Sequence, residues 1–184
     1  IACSCMDILL QYGIKNLTIS HIAKTAGVGK GTIYEYFKNK EDIVFEIITM
    51  FIAEHEKKLF EITNQNISIK DKFFHFFYIL YEDENSSKQL NIYREFLAIS
   101  MTSGTQEMVD FTIKCREISI GILGEIIKEG IVKGEIRPES HGIVSALVTF
   151  QLGLAVETDT SGLDAKDEIT SFLNALFKLI EIRE

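Results

Sequence analysis

Alternating apolar and polar residues bounded by hairpin turns are missing from this sequence. Apolar residues instead recur at helical spacing along nearly its whole length, so the chain reads as all-α. Long hydrophobic runs are missing too. The longest, FFHFFYIL and IVSALVTFQLGLAV, fall short of the ~20 apolar residues that span a bilayer, and charges flank both, so no membrane partner is expected. Three cysteines, Cys3, Cys5 and Cys115, make an odd count. The first two lie too close on one helix to bridge each other, which fits a reducing cytoplasm. No basic stretch in IACSCMDILL marks a secretory leader. Ile1 in place of an initiator methionine leads us to expect residues upstream of this numbering. A catalytic constellation is also lacking: His21, His55, His75 and His141 are scattered, and no Gly-rich phosphate loop or metal-ligand spacing is present. No enzyme activity, metal or cofactor is expected.

What is present is a soluble globular balance, 46% apolar and 25% charged, in 184 residues that hold one or two ordinary domains. Its charge is uneven. Residues 1–40 carry Lys15, Lys24, Lys30, Lys38 and Lys40 against Asp7 and Glu35, a balance of +3 that leaves −11 for the remainder. The first quarter is thus the better polyanion binder, although a solvated face with a few lysines accounts for the same balance.

That quarter divides into three short helices. The first, over 1–12, sets Ile1, Cys5, Ile8, Leu9 and Tyr12 on one side and ends at Gly13. Thr18 caps the second, over 19–26, which turns Ile19, Ile22, Ala23 and Ala26 inward before Gly27 supplies a positive φ. The third, over 30–37, is expected to pack through Ile33, Tyr34 and Phe37. Two helices of about two turns joined by a Gly-containing turn are the layout of a DNA-binding helix-turn-helix, and equally of any short helical hairpin.

Residues 17–43, LTISHIAKTAGVGKGTIYEYFKNKEDI, separate the two, because they resemble closely, residue by residue, the signature of the TetR family of transcriptional regulators. The resemblance implies a three-helix helix-turn-helix head followed by a helical effector-binding and dimerisation domain, and a dimer that reads palindromic double-stranded DNA. Residues 1–45 would form the head and 46–184 the second domain. At matching positions the DNA contacts would come from Thr18, Gly29, Lys30, Gly31, Thr32, Tyr34, Glu35, Tyr36 and Lys40. The small residues at the start of the third helix suit close approach, Thr32 suits a thymine methyl or a base edge, and Tyr36 and Lys40 suit phosphate oxygens. Tyr34 reads as core ahead of a DNA contact. Two departures stand out. Glu35 puts a carboxylate where neutral or basic residues are usual, so it either accepts from a cytosine amine or points away from the groove. His21 occupies the place of an acidic capping-box partner.

Beyond Lys40 the helices lengthen. Residues 39–62 read as one helix of ~34 Å, long enough to couple a head to a second domain. Helices follow over 68–82, 88–102 and 105–132, then over 139–157, with Pro138 in the first turn, and over 165–183. Aromatic residues at helical spacing are usually core, yet this density also suits a cavity for a small apolar effector. The candidate effector residues are Phe74, Phe77, Tyr78, Tyr93, Phe96, Phe111, Cys115 and Phe150. An α-helical enzyme or carrier using that cavity, or a DNA-binding regulator whose aromatics are solid core, remain as alternatives. On the last two helices, Ile143, Leu147, Phe150 and Leu154 face Ile169, Phe172, Leu173, Leu176, Phe177 and Ile180. These stripes either close the domain or form a four-helix bundle with a second subunit, and the resemblance favours a homodimer.

Overall fold

The computed structural model describes residues 2–182, and the side chains of these except 2–4 and 159; Ile1, read as the first residue of the first helical stripe, lies outside them. Nine α-helices are present among the described residues. They are α1 Ala2–Asn16, α2 Ile19–Ala26, α3 Lys30–Tyr36, α4 Lys40–Thr63, α5 Ile69–Tyr78, α6 Glu84–Thr102, α7 Gln106–Val132, α8 Val144–Ser161 and α9 Ala165–Ile180. Contacts gather these into two units, residues 1–54 with 84–112 and residues 55–83 with 113–184.

In the first unit, α1 packs on α2 and α6, and α2 on α3. Cys5, Leu9, Ile14, Leu17, Ile22, Ile33, Ile43, Ile47 and Phe96 are buried. The helical run of α1 breaks at Gly13, as expected, and the element continues past it as a kink: at φ 72°, ψ 171° the chain turns and three further helical residues follow. A Cβ at this position would meet Glu95 Oε1 at 2.8 Å. Glu95 comes that close because its carboxylate accepts from the Ile14 and Lys15 N–H groups, at 2.9 and 3.3 Å, which the kink leaves without helical partners. Lys40 donates to the Ile14 carbonyl at 3.2 Å, so the kink is held from both sides. Tyr12, expected on the inner face, is exposed and lies beside the His21 ring, with centroids 5.7 Å apart.

The second unit is built on α5, whose Ile69, Phe73, Phe76 and Phe77 are buried, and which packs on α9. Ser68 caps α5 by accepting from the Asp71 N–H. The helix expected to reach residue 82 stops at Tyr78 and tightens into a 3-10 turn over Ile79–Tyr81. Pro138 opens a 3-10 turn, Pro138–Ile143, rather than α8 itself. By length and composition Pro138–Thr158 also passes as a membrane span. Here its Val144, Leu147, Val148 and Leu154 belong to the core, and buried Gln151 donates to the Phe76 carbonyl at 3.2 Å.

Lys72 lies on the apolar stripe of α5 and is 1% exposed. Its ammonium donates to the Thr63 carbonyl and to Glu129 Oε2, both at 2.7 Å, and Lys133 holds Glu129 Oε1 at 2.7 Å. Burial alone would raise the Glu129 carboxyl, but the hydrogen bonds from Lys133 and Lys72 outweigh it and hold it below the usual carboxylate range. Removing one partner of such a pair strands a charge, whereas replacing the lysine by an apolar side chain strands none on its own helix. Glu129→Ala should therefore cost about 3 kcal/mol in urea unfolding and Lys72→Met clearly less. A carboxyl lowered on folding stabilises above its unfolded value and loses that contribution as pH falls through its folded one. The gap between wild type and Glu129→Ala should thus narrow in acid, and equal losses for both variants at neutral pH would contradict the pairing.

Candidate nucleic-acid interface and ligand groove

The two head helices are set by their ends. Thr18 Oγ1 accepts from the His21 N–H at 3.2 Å, and Gly27 closes α2 in the left-handed region at φ 67°, with its N–H turned back to the Ala23 and Lys24 carbonyls. Both features are as expected from the residues. α3 has only seven residues, with Gly29 as its N-cap and Phe37 closing it through an N–H to the Ile33 carbonyl at 3.0 Å. Asn39 then starts α4 by accepting from the Asp42 N–H at 2.8 Å, while Asp42 accepts from the Lys38 N–H.

Ile33 is the fully buried residue of α3, at 0% exposure. At 100° per residue, Gly31 and Glu35 lie about 160° away from it and form the outer ridge of the helix. Thr32 and Tyr34 flank that ridge, and Lys30 and Tyr36 sit nearer the Ile33 side. Tyr34, for which a core position was open, is 57% exposed and Tyr36 72%; both rings face solvent because a seven-residue helix buries one narrow stripe. Thr32 is half-buried and Gly29, Lys30, Gly31 and Glu35 are exposed. Lys40 is half-buried through its bond to Ile14, which leaves two of its three N–H donors. Thr18 is committed to its cap. One short outward face thus presents a cation, a hydroxyl, two phenols and a carboxylate.

The aromatic residues do not form one lining. In the first unit Phe45, Phe96 and Phe111 pack ring on ring, with centroids 5.3 to 6.1 Å apart. Phe96 is core, Phe111 and Tyr93 are half-buried, and Phe45 is a partner the sequence did not single out. In the second unit Phe77, Phe150 and Phe172 form another group, with Phe150 and Phe172 stacked at 3.9 Å. Phe77 is fully buried, and Phe74 packs against Tyr78, whose hydroxyl reaches Thr170 Oγ1 at 2.5 Å. Phe77 and Phe96 are packing residues, so neither is free to meet an effector in this conformation. Cys115 is half-buried, and burial together with the Glu56 carboxylate pushes its thiol up to about 12, so it stays protonated and unreactive at neutral pH. Burial, with Lys58 adding to it, takes His55 down to about 4 and keeps it neutral.

The open space of the second unit lies elsewhere. A groove of about 600 Å³ runs between Phe60 and Thr63 of α4 and Ile118, Gly121, Ile122 and Val132 of α7, with Glu125, Lys128 and Glu129 also at its walls. None of the eight candidate effector residues lines it. Its signal in the sequence was Gly121, a helical glycine that leaves the α7 surface open, next to Phe60, which is 60% exposed.

Of the two roles open to the α8 and α9 stripes, part of each closes the domain. Ile169, Leu173, Phe177 and Ile180, with Leu147 and Leu154 of α8, are buried in the unit's own core, where α5 covers α9. Ile143, Phe150, Phe172 and Leu176 are half-buried. Leu179, 69% exposed, continues the line from Phe172 and Leu176.

A capped α2, a left-handed glycine and a short helix turning polar groups outward form a helix-turn-helix. The family model for bacterial regulatory proteins of the tetR family matches residues 6–47. The uncharacterized HTH-type transcriptional regulator YhgD of Bacillus subtilis is 30% identical over 150 residues, 81% of this chain and 76% of that protein. The chain belongs to the TetR family of bacterial transcriptional regulators, and is a DNA-binding regulator rather than an enzyme. The fatty acid metabolism regulator protein of B. subtilis is 27% identical over 95% of this chain and 89% of its own length. A crystal structure of FadR from B. subtilis in complex with stearoyl-CoA superposes with a TM-score of 0.63 at 26% identity, covering 96% of this chain and 95% of that one.

The Thr18 cap is worth about 1 kcal/mol, since alanine leaves an N–H of α2 without its acceptor. Thr18→Ala should lower the melting temperature by several degrees and speed amide exchange at His21 before it does so in α5. Unchanged exchange at His21 would show that the cap is dispensable.

Proposed function

We propose that the chain is a ligand-responsive repressor that binds a palindromic operator as a homodimer in the cytoplasm and is released by a long, largely apolar effector of acyl type. The observation that carries the effector class is the 27% identity, across 95% of the chain, to a fatty acid metabolism regulator. The relative of known structure that holds stearoyl-CoA supports the same class. Residues 1–45 act as the DNA-binding head and 46–184 as the effector and dimer domain. The ridge of half-buried Phe172 and Leu176 and exposed Leu179 on α9, with Phe150 stacked on Phe172, serves as the subunit contact. An apolar ridge of this kind is stabilised when a second copy covers it.

In this reading α3 enters the major groove. Thr32 meets a base edge, while Tyr36, Lys30 and the two remaining Lys40 donors hold phosphates. Lys40→Ala should weaken operator and random DNA alike and reduce the salt slope by about 1 per subunit, whereas Thr32→Ala should chiefly relax sequence preference. Equal effects of both variants on both DNAs, in bandshifts across a salt series, would contradict these roles.

An effector releases DNA only by binding the DNA-incompetent arrangement better, typically by a factor of roughly 5 to 150. The groove beside Phe60 and Gly121 is of the size of a small-molecule site and is mainly apolar, and α4, which forms one of its walls, also supplies the Lys40 end of the head. Stearoyl-CoA titrated onto the operator complex should lower operator affinity within that range. A Cβ at Gly121 meets nothing within 4 Å, so a larger side chain can start from this groove wall, and Gly121→Phe is the variant that crowds the groove. It should leave operator affinity intact and abolish the response. Release of Gly121→Phe at wild-type effector concentrations would remove the groove as the site, and no response of the wild type to acyl thioesters of any chain length would remove the effector class.

A further inference from the structure

We infer that Glu35 is a specificity residue which selects cytosine at one position in each operator half-site; the inference rests on the reading of α3 as the DNA-contacting helix. Burial of Ile33 sets the rotation of α3, and that rotation puts Glu35 on the outer ridge, one turn after Gly31. Gly31 has no side chain and a Cβ there would meet nothing within 4 Å, so the helix can approach DNA closely at this point and the next side chain on the ridge is the Glu35 carboxylate. Glu35 is exposed. Among the described residues no ion pair or hydrogen bond engages its carboxylate, whereas Asp42 and Asn39, close by in sequence, are both committed to capping α4.

An ionised carboxylate accepts and never donates. In the major groove, guanine offers O6 and N7 and thymine offers O4, all acceptors that repel it. Adenine offers the N6 amine beside the N7 acceptor, and cytosine offers the N4 amine alone. Cytosine is therefore the base that accommodates Glu35 without an opposing acceptor. The same charge opposes binding to phosphates in general, so Glu35 lowers affinity for random DNA while favouring one base, which widens the margin between operator and competitor sites.

The test is selection of bound DNA from a random pool by the full chain and by Glu35→Ala and Glu35→Gln, followed by bandshifts on single-base variants of the wild-type operator at fixed salt. Wild type should prefer cytosine at one position per half-site, and replacing it should weaken binding about 10-fold. Glu35→Ala should bring discrimination at that position below about 2-fold, keep the other positions, and bind random DNA more tightly. Glu35→Gln should shift the preference towards adenine, whose N6 and N7 an amide pairs with together. If both variants select the wild-type profile at every position, Glu35 does not read a base and the inference falls while the DNA-contacting role of α3 stands. If wild type itself enriches no sequence, that role falls and the inference with it.

Discussion

A helix of seven residues is too short to persist alone, so α3 exists because Ile33 is buried against the head. That single contact, worth roughly 2 kcal/mol of apolar burial, also fixes the rotation of the helix. Every functional reading of the head follows from the rotation, because it decides which of Lys30, Gly31, Thr32, Tyr34, Glu35 and Tyr36 meet DNA and which brace the fold. The surrounding structure serves the same constraint. Gly27 aims α3 after α2, Asn39 and Asp42 end its trailing loop, and the Gly13 kink, held by Glu95 and Lys40, ties α1 to α6 and to the start of α4.

Local chemistry was legible where one residue type has one reason to be present. Thr18 as a cap and Gly27 as a left-handed turn could be read directly, and α2 has the bounds that those two residues imply. The ends of α5 and α8 were less legible. Both pass through 3-10 turns, which helical spacing does not distinguish from a continuing α-helix. Helical period showed that Ile169, Leu173, Phe177 and Ile180 share a face. It carries no information on what lies opposite, and α5 of the same chain rather than a second subunit covers them. Tyr34 was misplaced among the core options for a related reason, since period alone does not tell how narrow a short helix's buried stripe is.

The candidate effector residues illustrate the same limit at longer range. Phe96 and Phe111 could be listed from spacing, but their packing partner Phe45 lies some fifty residues before Phe96 and nothing local points to it. Lys72 was overlooked because a lysine in an aromatic helix reads as solvated, although it stands between Ile69 and Phe76 at core spacing. Its burial is tolerable only because Thr63 and Glu129 satisfy the ammonium directly. The aromatic density is thus mostly packing, and a groove lined by Phe60, Gly121 and Val132 offers room in the second unit.

The central claim is that the face of α3 opposite Ile33 reads DNA. A crystal structure of the chain bound to an operator recovered by genomic selection tests it most directly. The account predicts α3 in the major groove with Gly31 and Glu35 towards the base edges, Thr32 within contact of a base, and Ile33 still buried. An α3 lying outside the groove, or one turned so that Gly31 and Glu35 face away from the bases, would contradict it.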